Sequence, residues 1–169
     1  MITTVLLSLQ QAAYGVLSGD PFYDGTLSAN GKPVPIVTEA KGSITQEIEL
    51  ALAQVGICAL LLTPTIDLHA PNTQDNSGFA KLIVSLFEDA PVNQGAAGTG
   101  IQIAQLAEET VKALNWYQHG CYTGPVADEP TAATRFLALA NPIEFQSPGP
   151  PLQYNVSFQA HVTLNPQYS

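Results

Sequence analysis

Positive charge is scarce in this sequence. Lys32, Lys41, Lys81, Lys112 and Arg135 are its only basic residues apart from three histidines. They are scattered along the chain, whereas a protein that grips phosphates needs clustered cations to displace counterions. The sequence therefore speaks against nucleic-acid binding. Cysteine is scarcer still. Cys58 and Cys121 stand alone, with no CxxC or Cys/His spacing, so neither a disulfide framework nor a zinc site is expected. Cys58 lies in the apolar run from Ile57 to Leu62 and reads as core, and the sequence looks like that of a reducing compartment. Long apolar runs are missing too: none approaches the ~20 residues that span a bilayer. The start, Met1 to Leu7, has no basic stretch and no small-residue cleavage site. A chain without a signal peptide, made and kept in a cytoplasm-like compartment, is the expectation.

Charge of either sign makes up only 11% of the residues, against the usual quarter. Two readings stand. Much of the surface is covered by other subunits, whose interface cores are depleted of charge, or the chain is a neutral-polar monomer. The first is favoured, because a free surface normally needs more charge to stay dispersed. The net charge of −9 would repel DNA or let it slide past.

The familiar signatures of chemistry are also absent. The glycine-rich segment Gly95 to Gly100 is followed by Ile101-Gln102, without the lysine and Ser/Thr that a phosphate loop needs. A dinucleotide loop would follow its strand directly, and here Asp89 to Gln94 intervene. The segment reads as a flexible approach to a helix cap. His69, His119 and His161 have no second ligand at metal-binding spacing. No metal and no cofactor are expected. His69 with Asp67 and Asp75 is the one polar cluster an enzyme could use as a dyad, but no nucleophile motif accompanies it. Glu88-Asp89 and Glu108-Glu109 are adjacent carboxylates; Glu108 and Glu109 diverge on a helix, and the carboxylates read as solvated surface.

What is present is a clear run of elements, and 169 residues with 46% hydrophobic side chains are enough for a single domain with a sizeable core. Residues 3–17 carry Val5, Leu6, Leu9, Ala12, Ala13 and Val16 at helical spacing. Turns at Asp24-Gly25 and Asn30-Gly31 and a short edge strand at Pro35 to Thr38 follow. Ser43 to Gln46 fits a capping box opening a second helix, with Ile44, Ile48, Ala51, Leu52 and Val55 as its stripe and Gly56 as its left-handed stop. Ile57 to Thr63 and Phe79 to Glu88 read as strands buried on both faces. Between them, residues 64–78 read as a long loop, which is either a contact surface or a passive one. A third helix, capped at Thr99, runs to about Trp116. Trp116-Tyr117 is an interface anchor or a core edge. Residues 117–134 are irregular. Arg135 to Ala140 and Pro142 to Phe145 look extended, and Ser147 to Pro151 makes a stiff turn. From Tyr154 to Leu164 apolar and polar residues alternate strictly, as in a strand with one face on the core. The expected fold is α+β, a mixed or antiparallel sheet of about four to six strands against two or three helices.

This order resembles the tail terminator proteins of long-tailed bacteriophages. The similarity runs from the opening helix through Pro33-Val34-Pro35-Ile36-Val37, Gly56 and Leu62-Thr63-Pro64. It continues through Leu86-Phe87-Glu88-Asp89-Ala90-Pro91-Val92-Asn93 with Gly98-Thr99-Gly100, and ends in Tyr154-Asn155-Val156-Ser157-Phe158. Residues 117–134 and the prolines at 148–151 have no counterpart in it. The resemblance implies a structural virion subunit rather than an enzyme. Such a subunit would be synthesised in the host cytoplasm and would form a homo-oligomeric ring, typically hexameric. The ring would cap the tail tube, join it to a head-completion or neck protein and let DNA pass its lumen without specific binding. Another neck or tail component, such as an adaptor or tube protein, is the nearest alternative; a small enzyme or a ligand-binding module is more distant. On the structural reading the contact residues expected are Asp67, Leu68, His69, Asn72, Asp75 and Asn76 in the loop, with Trp116 and Tyr117.

Overall fold

The computed structural model describes residues 4–121 and 135–164. The expected start of the first helix at Thr3, and the irregular stretch from 122 to 134, lie outside the described residues. Within them the chain is α+β, with four helices and a six-stranded mixed sheet.

Helix α1 (Val5–Ser18) is capped by Thr4, whose hydroxyl accepts from the Leu7 N–H. It buries Leu9, Ala13 and Leu17, with Gln10 beside them. Gln10 donates to Leu61 O and to the Glu39 carboxylate, which satisfies its buried amide. Strand β1 (Ile36–Val37) runs parallel to β2 (Ile57–Leu61). Between them, α2 (Ile44–Gln54) starts at Ser43, where the serine half of the capping box forms. Gly56 ends the turn after it at φ +84, where a Cβ would overlap the backbone of Asn93.

Residues 64–78 are not a long loop. Thr65–Leu68 form β3, which pairs antiparallel with β4 (Ser77–Glu88), and only residues 69–76 form the turn. The expectation failed because Asp67 and the surrounding Thr and Pro suggest a loop, whereas β3 is a short edge strand whose polar side chains face solvent. β4 is the axis of the sheet. One side of it pairs with β3 through Gly78 to Lys81 and with β2 through Val84 to Glu88; the other side pairs with β6 (Leu152–Thr163) along its whole length. The order is β1-β2-β4-β6-β5, with β5 (Leu137–Ser147) at the far edge. The two stretches expected at 135–140 and 142–145 thus join into one strand that starts at Leu137 and is broken in register between Ala138 and Ile143.

Strand alternation decides the core. Ala80, Leu82, Val84 and Leu86 of β4 share a face with Val156, Phe158, Ala160 and Val162 of β6, and all are buried. Helix α4 (Ile103–Leu114) lies on this face against β4, β5 and β6, and α1 lies against α4. α4 buries Ile103, Leu106, Ala107, Thr110 and Leu114. Each fully buried leucine contributes about 1.5–3 kcal/mol, so packing rather than propensity holds so short a helix. Thr110 accepts or donates with the hydroxyl of buried Tyr23 at 2.7 Å, which pins the 20–35 turns to the helix.

The second face is covered unevenly. Val37 and Cys58 point away from the main core by alternation, yet both are buried, as is Ala51 of α2. α2 packs on β1 and β2, so it roofs that margin of the second face. Its Ile44, Ile48 and Leu52 are only half-buried, less than their spacing predicted. On β6 the second face carries half-buried residues and a buried Ser157, whereas over β4 it is open. Phe79 and Lys81 are exposed there and Ile83, Ser85 and Phe87 half-buried, so β4 is not buried on both faces as its apolar run suggested.

The link from β4 to α4 is ordered through a buried hub. After Glu88, α3 (Ala90–Asn93) makes one helical turn. The Asn93 amide, fully buried, donates to Glu88 and Ile101 O and accepts from the N–H and hydroxyl of Thr99. Glu88 also accepts from Gln94 and from the Ile103 N–H. Glu88 is thus 4% exposed rather than solvated surface, because its carboxylate caps the start of α4. Thr99 serves the hub rather than the helix, whose cap is Gln102, with Gln105 accepting from its N–H. Gly98 and Thr99 are buried, while Gly95 to Ala97 and Gly100 stay exposed, so the end of the glycine-rich segment is fitted into the hub and its start lies on the surface.

Candidate functional site

Odd-numbered residues of β4 face the open side, and the register aligns their partners. Asp67 of β3, Phe79 of β4 and His161 of β6 form one row. Thr65, Lys81 and Gln159 form the next, and Ile83 and Ser157 the one after. Beyond β3, His69 folds back onto the first row. Its ring stacks on His161 with centroids 5.5 Å apart and meets the edge of Phe79 at 4.9 Å. Asp75 accepts from the Ser77 N–H at 2.9 Å, closing the turn. The Ser77 side chain first, then this backbone bond, and after them the nearby imidazoles hold the Asp75 carboxyl below its ordinary range. Among the described residues no hydrogen bond joins His69 to Asp67 or Asp75; the imidazole is engaged through its ring faces instead.

Beside this cluster lies a depression of about 210 Å³. Leu62 and Pro64 line it from the β2–β3 connection, and Leu60, Lys81, Ile83 and Asn155 from the sheet. Leu62 and Phe79 are each 40% exposed. The Asn155 carbonyl oxygen is shielded from solvent and has no partner among the described residues. Such an acceptor is costly unless a donor reaches it.

The structure therefore gathers Asp67, His69 and Asp75 of the expected loop around Phe79 and His161, while Asn72 and Asn76 lie in the exposed turn and Leu68 is half-buried opposite Gly78. Trp116 and Tyr117 belong to the other margin. Their backbone bonds to Phe136, just before β5, and Arg135 donates to Trp116 O while lying over its ring. At 54% and 42% exposed they are surface aromatics rather than a core edge. Phe79, Ile83 and Leu62 were missed as a surface, whereas His161 lies on the polar face of β6, as its place in the alternation indicates. The signal was legible: even positions of β4 are Ala, Leu, Val and Leu, while odd ones mix Phe, Lys, Ile and Ser.

Two other groups named in the sequence have structural roles. Glu108 is exposed, but Glu109 is half-buried, and burial and then Asp20 raise its pKa. His119 is 7% exposed, against the Phe136 ring, with Nδ1 accepting from the Cys121 N–H. Burial lowers its pKa to about 4. A base depressed in the folded state favours folding above its unfolded value near 6.5 and loses that contribution as pH falls towards the folded value. His119→Gln should therefore narrow the gap in urea-unfolding stability between pH 7 and pH 4.5 relative to the parent chain. An equal gap in both chains would contradict the buried neutral imidazole.

Among the described residues, no three His, Cys, Asp or Glu side chains gather as a metal would require, and no helix is long and apolar enough to cross a membrane. No family model matches the chain, and comparison with curated proteins finds no match.

Proposed function

We propose that this chain is a structural subunit of a bacteriophage virion, closing into a homo-oligomeric ring of six that caps the tail tube and meets a head-completion protein. The observation that carries this reading is the open sheet face. Phe79, Ile83 and Leu62 are accessible there beside an unpaired Asn155 oxygen, with Lys81 as the one cation on that part of the sheet. A surface of this kind suits burial against another subunit better than permanent exposure. The 11% charge and the order of elements support the same reading. In a ring the interface is heterologous and closes by rotation. A map of the assembled particle should contain a closed ring of this chain. A single copy, or an open filament, would sink the idea.

The β3–β4 hairpin would be one of its contacts. Residues 71–76 are exposed, and no core position lies in the turn. Replacing Pro71 to Asp75 by a two-residue Asn-Gly turn keeps Ala70 opposite Asn76 and should leave the chain folded, because no core position is removed. It should nonetheless block assembly. Complete particles at normal yield would make the hairpin passive.

A further inference from the structure

The tip of the hairpin is held by rings as well as by backbone. His69 N–H donates to Ser77 O at 2.9 Å, and Leu164 N–H to Asn76 O. Above these bonds the His69 ring lies over His161 with 22° between the planes, and Phe79 stands nearly perpendicular to both. We propose that His69 and His161 form a proton-operated latch, which fixes the hairpin tip on the open sheet face at neutral pH and frees it in mild acid.

The charges around the pair decide the sign. Asp75 reaches it from the turn, and Asp67 stands opposite Phe79 on β3. Lys81 is the next outward residue of β4, and Gln159 and Thr163, uncharged, flank His161 on β6. On the β5 side Arg135 is turned to Trp116. With both imidazoles neutral, Lys81 against Asp67 and Asp75 leaves the patch one negative charge. One proton brings it to zero, and two leave a pair of imidazolium rings face to face. The first proton is tolerated and the second is not. Burial, and then His69, hold His161 below the ordinary histidine range against the pull of Asp75. The latched state therefore prefers the neutral ring, is complete above about pH 6.5, and weakens as pH falls below it. The use of this latch to control docking rests on the hairpin being a contact surface; the latch itself does not.

Hydrogen exchange on the isolated chain tests it. Protection factors, corrected for intrinsic rates, should fall several-fold for the His69 and Leu164 amides between pH 7.5 and pH 5, in the direction set by the neutral ring that the latched state prefers. Amides of Leu82 to Leu86 should hold their values. H161Q should remove the pH dependence. D75N keeps an acceptor for Ser77 but loses the counter-charge, and should move the release to higher pH. Equal protection at both pH values would overturn the latch. So would a pH-dependent loss that survives in H161Q and also in H69Q. Because assembly plays no part in the measurement, failure of the ring and failure of the latch are distinguishable.

Discussion

Asn93→Ala should destabilise the chain by about 3–4 kcal/mol, more than any surface change considered above. The side chain is fully buried and uses all its hydrogen-bonding capacity, two donors and an acceptor taken twice. Truncation strands the Thr99 N–H, the Thr99 hydroxyl and Ile101 O in the interior, and removes a donor from a carboxylate that is itself buried. Each unsatisfied group costs about 1–3 kcal/mol, partly recovered if water enters. Asn93→Asp keeps the acceptor but loses the donors to Glu88 and Ile101 O, and sets a second carboxylate against the first; it should be at least as damaging. Gly98→Ala reaches the same hub by a different route, because its Cβ would overlap the Asn93 carbonyl. Urea unfolding of the three variants measures all of this. A loss below about 1 kcal/mol for Asn93→Ala would mean that the hub is not cooperative.

Leu62→Asp should give the opposite pattern, a chain that folds as the parent does and does not assemble. Leu62 is 40% exposed at the rim of the depression beside Ile83 and Lys81, so a carboxylate there keeps its water in the free chain and the change should stay within about 0.5 kcal/mol. In an interface the same carboxylate would be desolvated without a partner, and one such residue near the centre of a contact costs about 2 kcal/mol or more. That is roughly a thirtyfold loss of affinity at each junction, repeated around a ring. Sedimentation or native mass measurement at assembly concentrations, with complementation of particle formation, provides the readout. Rings at parental yield would remove the open sheet face from the interface.

How much of this was legible in the sequence depended on the kind of signal. The α1 stripe, the Ser43 cap, Gly56 and the alternation of β6 were readable because each is set by neighbours a few residues away. β3 was not. Thr65 to Leu68 has no internal preference strong enough to declare a strand, and only the edge of β4 gives it one. The hub was hidden for the same reason. Glu88, Asn93 and Thr99 look like surface polar residues until the turn of α3 brings them together. In β4 the apolar count misled while the alternation was informative. Of the candidate site, Asp67, His69 and Asp75 were found from their chemistry alone, but Phe79 and His161 join them only through register across three strands.

The hairpin grows out of β4, and all twelve residues of β4 are paired with β6. Tension applied at the hairpin tip is therefore directed along the strand. It loads the hydrogen bonds between β4 and β6 side by side, in shear, rather than peeling them apart one after another. No single bond sees the full force until most of the ladder yields together. Tension applied instead at the β5 margin would pull across the strand direction, where the broken register between Ala138 and Ile143 offers a place for unzipping to begin. Handles at residues 72 and 149 should find the lengthwise direction mechanically stiff, and a second pair at residues 60 and 140 should find the crosswise direction soft, an anisotropy that follows from the path of one strand.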